Sequence, residues 1–305
     1  MLGVGALSFR ETSRKDIMRR LLLAAAALLA TLILAPSASA ALTGEFAKFV
    51  TCPDANPAVD GCIYAESSSG VFTMGKKTVP IKNPVVLKGG LDAPGGSIFE
   101  ELTFVAPTDG QTLSKTPQPV PGGLLGVTAP TWWPQFLQDL FNETINNGFT
   151  GVNATVELAG PASSIKFNTL NEITGNGVAI AFPAKVKLDN PFLGSSCYIG
   201  SNSNPIKLNL TTGTTAPPPP NKPITGNPGT FEGKEEGAIL IDKGNKLVDN
   251  SFAAPGANGC GGLFSFLIDP FVNSIVGVPS AAGTNTAILE GTTYIADANA
   301  VRARR

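Results

Sequence analysis

Short runs rich in Val, Ile, Thr and Phe, each cut off by Gly, Pro or Asn, are what most restrict the fold of this chain. They fall at 45–50, 70–79, 85–88, 97–105, 152–158, 164–169, 177–187, 206–210, 238–241 and 286–295. Such segments read as strands bounded by turns. With 34 glycines and 25 prolines in 305 residues, few stretches can continue as helix. No strand–helix alternation runs along the sequence, so a doubly wound sheet is not expected. The spacing predicts a mainly β protein with antiparallel, sandwich-like packing.

Two amphipathic stretches interrupt the strands. Thr131 can cap a helix from Trp132 to Asn147 that Gly148 stops, with Trp132, Phe136, Leu137, Leu140, Phe141 and Ile145 at helical spacing. The second, 263–276, carries Phe264, Leu267, Phe271 and Ile275, with Pro270 inside it. A proline there should kink the helix or mark its true start. Faces this apolar must cover something: the end of the sheet, a ligand or a partner.

The helices belong to a larger repetition. Val79–Pro84 (V-P-I-K-N-P) matches Val186–Pro191 (V-K-L-D-N-P). Phe136–Ile145 matches Phe266–Ile275 at Phe, Leu, Asp, Phe and Ile. Each helix follows a Gly-Gly-Leu (122–124 and 261–263) and precedes a Gly-x-Asn and a strand (151–158 and 283–289). Four landmarks in one order predict two related β-rich halves, 41–160 and 161–305, each with one helix. The larger offset in the second copy places an insertion there. It includes the proline-rich segment 211–230, whose four consecutive prolines favour an extended chain and offer a polyproline recognition motif.

Arg19-Arg20, an apolar run from Leu21 to Leu34 and Ala38-Ser39-Ala40 make a signal peptide over residues 1–40. Met18 is an alternative start that would leave 1–17 untranslated. The apolar run is too short for a stable transmembrane anchor, and the paired arginines leave twin-arginine export open beside the general route. Cleavage after Ala40 would remove five basic and two acidic residues, leaving 17 against 21, a net charge of −4. The remaining arginines are 302, 304 and 305, at one end, so no basic patch suggests nucleic acid. Cys52, Cys62, Cys197 and Cys260 all follow the leader. An even count in an exported chain predicts two disulfides. Of three pairings, Cys52–Cys62 and Cys197–Cys260 are expected: one closes a turn-rich loop, and the other spans the insertion, where a cross-link restrains the unfolded chain most.

The absence of histidine removes Ser-His-Asp and Cys-His catalysis and His-ligated metal. No metal site or cofactor is expected. Glu100-Glu101 and Glu235-Glu236 are doublets whose side chains would face opposite sides of a strand. Asp139 and Asp269 are equivalent in the repeat and could approach each other as a hydrolytic pair. Ser163-x-x-Lys166 is a short dyad pattern. Three Asn-x-Thr sequons begin at 142, 153 and 209, relevant only in a eukaryotic host, whereas the leader reads as bacterial. Trp132, Trp133, Phe136, Phe141, Phe266 and Phe271 are the candidate ligand-binding residues.

Segments 74–84, 114–125, 190–200 and 259–262 resemble a group of uncharacterised secreted proteins of actinobacteria. The resemblance implies export and a high-GC Gram-positive source, and carries no activity or functional residue with it. The expectation is a secreted or surface-associated, non-catalytic protein, structural or binding, with the cell wall or an apolar molecule as partner and an open oligomeric state. One alternative is a carrier with an apolar pocket under the two helices; another is a carboxylate-based hydrolase.

Overall fold

Alternation along one strand shows how the sheet is built. From Ile180 to Asp189, every second side chain is buried: Ile180, Phe182, Ala184, Val186 and Leu188. The polar and small residues between them are half exposed, the pattern of a strand with one face on a core. This computed structural model describes residues 41–97, 99–146 and 149–305. The leader and the choice of start lie outside the described residues.

The protein is mainly β, with one fourteen-stranded antiparallel sheet. Its strands are β1 (Gly61–Met74), β2 (Lys77–Pro80), β3 (Val85–Asp92), β4 (Glu101–Val105), β5 (Gln118–Pro119), β6 (Asn153–Leu158) and β7 (Lys166–Asn168). They continue as β8 (Ile180–Asp189), β9 (Tyr198–Ile199), β10 (Ile206–Leu210), β11 (Thr230–Lys234), β12 (Ile239–Asp249), β13 (Ala257–Asn258) and β14 (Thr286–Asp297). Helices are α1 (Gln135–Asn146), α2 (Thr169–Thr174), α3 (Ser265–Val276) and α4 (Ala298–Arg302).

Pairing runs β12-β14-β1-β3-β4-β7-β8-β10. The ring returns to β12 through Thr211 and Val248, which exchange two backbone hydrogen bonds. Closure leaves few unpaired edges. Long strands β1 and β8 each change neighbours midway. β1 pairs with β3 along residues 61–67 and with β2 along 71–74. β8 pairs with β7 and β10 in its first half, then with β6 and β9. At the second end of the barrel, Gln118 stitches β5 to the chain leaving β2. Its carbonyl accepts from the Lys82 and Asn83 N–H groups, and its amide donates to the Asn83 carbonyl.

Two bulges keep the long strands aimed inward. In β1 the register slips between Ser67 and Ser69, so the inward set changes from Ile63 and Ala65 to Phe72 and Met74. In β12 it slips between Lys243 and Asn245. Gly244 there has φ +69°, the left-handed backbone that a glycine bulge uses.

The main core fills the barrel wall. A second cluster packs outside it: Phe46 and Phe49 sit against Ile239, Ile241, Ala298 and Val301. The expected strand at 45–50 is a 3-10 helix, Gly44–Phe49. Its three-residue spacing puts both rings on one buried face. Both disulfides pair as expected, Cys52–Cys62 and Cys197–Cys260. Their sequence separations, 10 and 63, correspond to about 3 and 4 kcal/mol of unfolded-chain restraint.

The later landmarks of the repeat recur in shape. Both Gly-Gly-Leu segments open short 3-10 turns behind a left-handed glycine, Gly122 or Gly261. Each leads to a twelve-residue helix. The first begins at Gln135, after Pro134 rather than at Trp132; the second begins at Ser265 and continues through Pro270. The proline-rich segment is pinned. Thr215 and Ile224 bond across it, and Asn227 bonds with Lys246. Asn221 donates to the carbonyls of Asn250 and Asn285.

Candidate functional site

Side chains from every ring strand except β4 converge on an interior cavity of about 150 Å³. Its wall is almost wholly hydrocarbon, with Leu87, Phe167, Phe182, Leu208, Leu247 and Leu289 among the larger contributors. Five β1 residues between Ile63 and Met74 line it, so it follows much of a strand that spans roughly 35 Å. A smaller void continues from it under α3, bounded by Val120, Leu188, Val272 and Val276.

Two polar stations interrupt the wall. Thr293 lies opposite both Ala65 and Asp242 in register, and Met74 lies opposite Lys77. From Ala65 to Met74, β1 runs roughly 30 Å, so the stations occupy different ends.

The first station is a buried carboxyl pair, Glu172 on α2 and Asp242 on β12, each only about 3% exposed. The local sequence explains both positions. Asn168 caps α2 by accepting from the Asn171 N–H, and Gly175 ends it in a left-handed turn. That single turn delivers Glu172 to the barrel. The Gly244 bulge puts both Asp242 and Asn245 on the inner face; three positions apart in a regular strand, they would point oppositely. The Asn245 amide is shared among Thr293 Oγ1 at 2.8 Å, Asp242 Oδ2 at 3.1 Å and Glu172 Oε1 at 3.3 Å. Glu172 Oε2 and Asp242 Oδ1 are buried without a hydrogen-bond partner, and the two carboxyls lie close enough to repel as like charges. Burial, then the Asp242 charge, pushes the Glu172 carboxyl up to about 8. Burial raises Asp242 to about 6 against the pull of its hydrogen bonds. The pair therefore holds about one negative charge at neutral pH.

The second station is Lys77. It lines both the main cavity and the void under α3. Directly opposed residues share a face of an antiparallel pair. Met74 and Phe72 face inward, so their partners Lys77 and Val79 do too. Burial lowers the pKa of the Lys77 ammonium. It has no carboxylate within ion-pair distance among the described residues.

None of the six aromatic residues suggested by the sequence lines the cavity. Trp132 is 81% exposed and Phe266 71%; Phe136 and Phe271 are also exposed. Trp133 and Phe141 are half-buried and meet edge to face. The reason lies in which stripe each helix buries. α3 turns Val272, Ile275 and Val276 toward the void and leaves Leu263, Phe264, Phe266, Leu267 and Phe271, on or just before it, in the open. Contiguous exposed apolar surface of this kind marks interaction sites.

The carboxylates that the sequence offered as pairs have separate work. Asp269 accepts from the Gly259 and Cys260 N–H groups, and Asp139 accepts from Gln135. Glu101 pairs with Lys166, and Glu235 with Arg304. Among the described residues, no group of three or more Cys, Asp or Glu could hold a metal ion. No described helix is long and apolar enough to cross a membrane.

The fold and cavity define a class: a closed, disulfide-bonded antiparallel barrel with an apolar interior and a polar station at each end. No family model, curated protein or solved structure matches the chain.

Proposed function

We propose that this is an exported, non-catalytic carrier that holds an apolar molecule inside its barrel. The cavity carries this reading. A void costs about 24 cal/mol per Å³, so 150 Å³ left empty would cost about 4 kcal/mol. That is a large share of a typical folding free energy. A cargo that fills the space recovers it. Voids of this kind lined by Leu, Ile and Phe stay dry and take up apolar molecules. The two disulfides and the leader support an extracytoplasmic site of action. The open apolar face of α3, whose other side walls the cavity, suits loading and unloading at an apolar surface.

The test is binding of the fluorescent apolar probe N-phenyl-1-naphthylamine to the oxidised protein. Ala154 lines the cavity, and Ala154→Trp should fill it and weaken binding at least tenfold with the circular dichroism unchanged. Equal binding by a folded Ala154→Trp protein would place the probe on the outer helix faces and overturn the carrier reading.

A further inference from the structure

We propose that Lys77 is a headgroup anchor, and that the cargo is a single-chain amphiphile with an anionic head at Lys77 and its tail along the barrel. This deepens the carrier reading and rests on it.

The first support is the absence of a native counter-ion. Lysines on the outer face of the wall carry ion pairs: Lys88 with Asp109, Lys185 with Glu157, Lys187 with Asp189, Lys246 with Glu290. Neighbouring Lys76 is exposed and donates to the Ser274 carbonyl. Lys77 is half-buried with no such partner, beneath the turn at Gly126 and the end of α3. The Gly126 backbone comes so close that a Cβ there would stand 3.2 Å from Lys77 Nζ and 3.2 Å from the Ile275 side chain. A partly desolvated cation without a partner is costly, and an anion arriving with the cargo removes that cost.

The second support is direction. Among the described residues, the one carboxyl in the cavity wall is Glu172, beside Asp242 at the level of Ala65. The negative charge of that pair repels an anionic head from its end and favours the Lys77 end. Between the two ends the wall offers hydrocarbon, with Ser67 and Gln118 as minor polar exceptions. Gln118 is occupied in joining β5 to residues 82 and 83. One charge at one end and an apolar passage beyond it describe an aliphatic carboxylate or phosphate monoester with a short tail, within the reach of a void of about 150 Å³.

The test is displacement of N-phenyl-1-naphthylamine from the full oxidised protein at pH 7. The competitors are hexanoate, hexyl phosphate and 1-hexanol, each below its micelle concentration. Wild type should prefer at least one anion over the alcohol by tenfold or more, and the better anion identifies the head as carboxylate or phosphate. Lys77→Met should bring all three within about twofold of one another while leaving the alcohol unchanged. Lys77→Arg should keep the preference. Retained anion preference in Lys77→Met, or no preference in wild type, would overturn the headgroup assignment and leave the carrier reading standing. Failure of all three to displace a probe that Ala154→Trp also fails to exclude would instead overturn the carrier reading itself.

Discussion

The two ends of the cavity treat buried charge in opposite ways. At the β12 end, Glu172 and Asp242 face each other, and the Asn245 amide donates to both of them and to Thr293 from within the chain. At the β2 end, Lys77 is only half-buried and has no carboxylate within ion-pair distance among the described residues. One end draws its polar contacts from within the chain, and the other leaves a cation without a matching charge. The difference teaches where a polar group is held by the fold and where it is not: buried oxygens that meet an amide lose less on folding than an ion that meets no partner.

The largest effect should come from pH acting on the carboxyl pair. Both carboxyls have folded pKa values above their unfolded ones, so the folded protein binds more protons than the unfolded chain at intermediate pH. Their contribution is fully present below about pH 4 and is lost as pH rises through about 6 and then 8. Between pH 5 and pH 9, urea unfolding should show stability falling by on the order of a few kcal/mol. Glu172→Gln, which keeps a donor toward Asp242, should flatten most of that slope. An equally steep slope in Glu172→Gln would place the pH dependence elsewhere.

Asn245→Ala comes next. It removes the one amide serving three buried oxygens and should cost about 3 kcal/mol, read from the urea midpoint at pH 6. Gly244→Val tests the bulge that turns Asp242 and Asn245 to the same side. A β-branched residue at φ +69° should cost about 1–2 kcal/mol. It should also weaken the pH dependence, because the bulge sets the pair. The smallest effect has the opposite sign. Lys77→Met should leave the ligand-free protein equally stable or up to about 1 kcal/mol more stable, seen as an unchanged or higher melting temperature. A marked loss of stability would show that Lys77 is structural and would remove the contrast between the ends.

Much of the architecture was legible from the chain. Period-two alternation marks β8 plainly, because Ile180 to Leu188 bury every second side chain. The Cys pairing followed from loop composition and span. The two amphipathic stretches were legible as helices, with their starts displaced to Gln135 and Ser265. What could not be read was the phase of the long strands. Each bulge shifts the inward set by one residue, so Asp242 and Asn245 look like opposite-face positions in the sequence. Glu172 was hidden for another reason: six residues of helix between two strands leave too short a pattern for helical periodicity to show. The six aromatic candidates sit on or beside the two apolar helices, where a covered pocket was expected. On α3, Val272 and Val276 face the protein and Phe266 and Phe271 stay exposed; beside and on α1, Trp133 and Phe141 are half-buried while Trp132 and Phe136 are exposed. Lys77 did have a signal: it alternates with Val79 and Ile81, two apolar residues that also line the cavity.

The pairing of β1 with β14 has a consequence for how the chain acquires its shape. Gly61 lies opposite Asp297 and Thr73 opposite Thr286, so the first long strand finds its main neighbour only when the last has been made. Until residue 297 is free, β1 must remain without that edge. Contacts so distant along the chain make folding slow, on the millisecond-to-second scale.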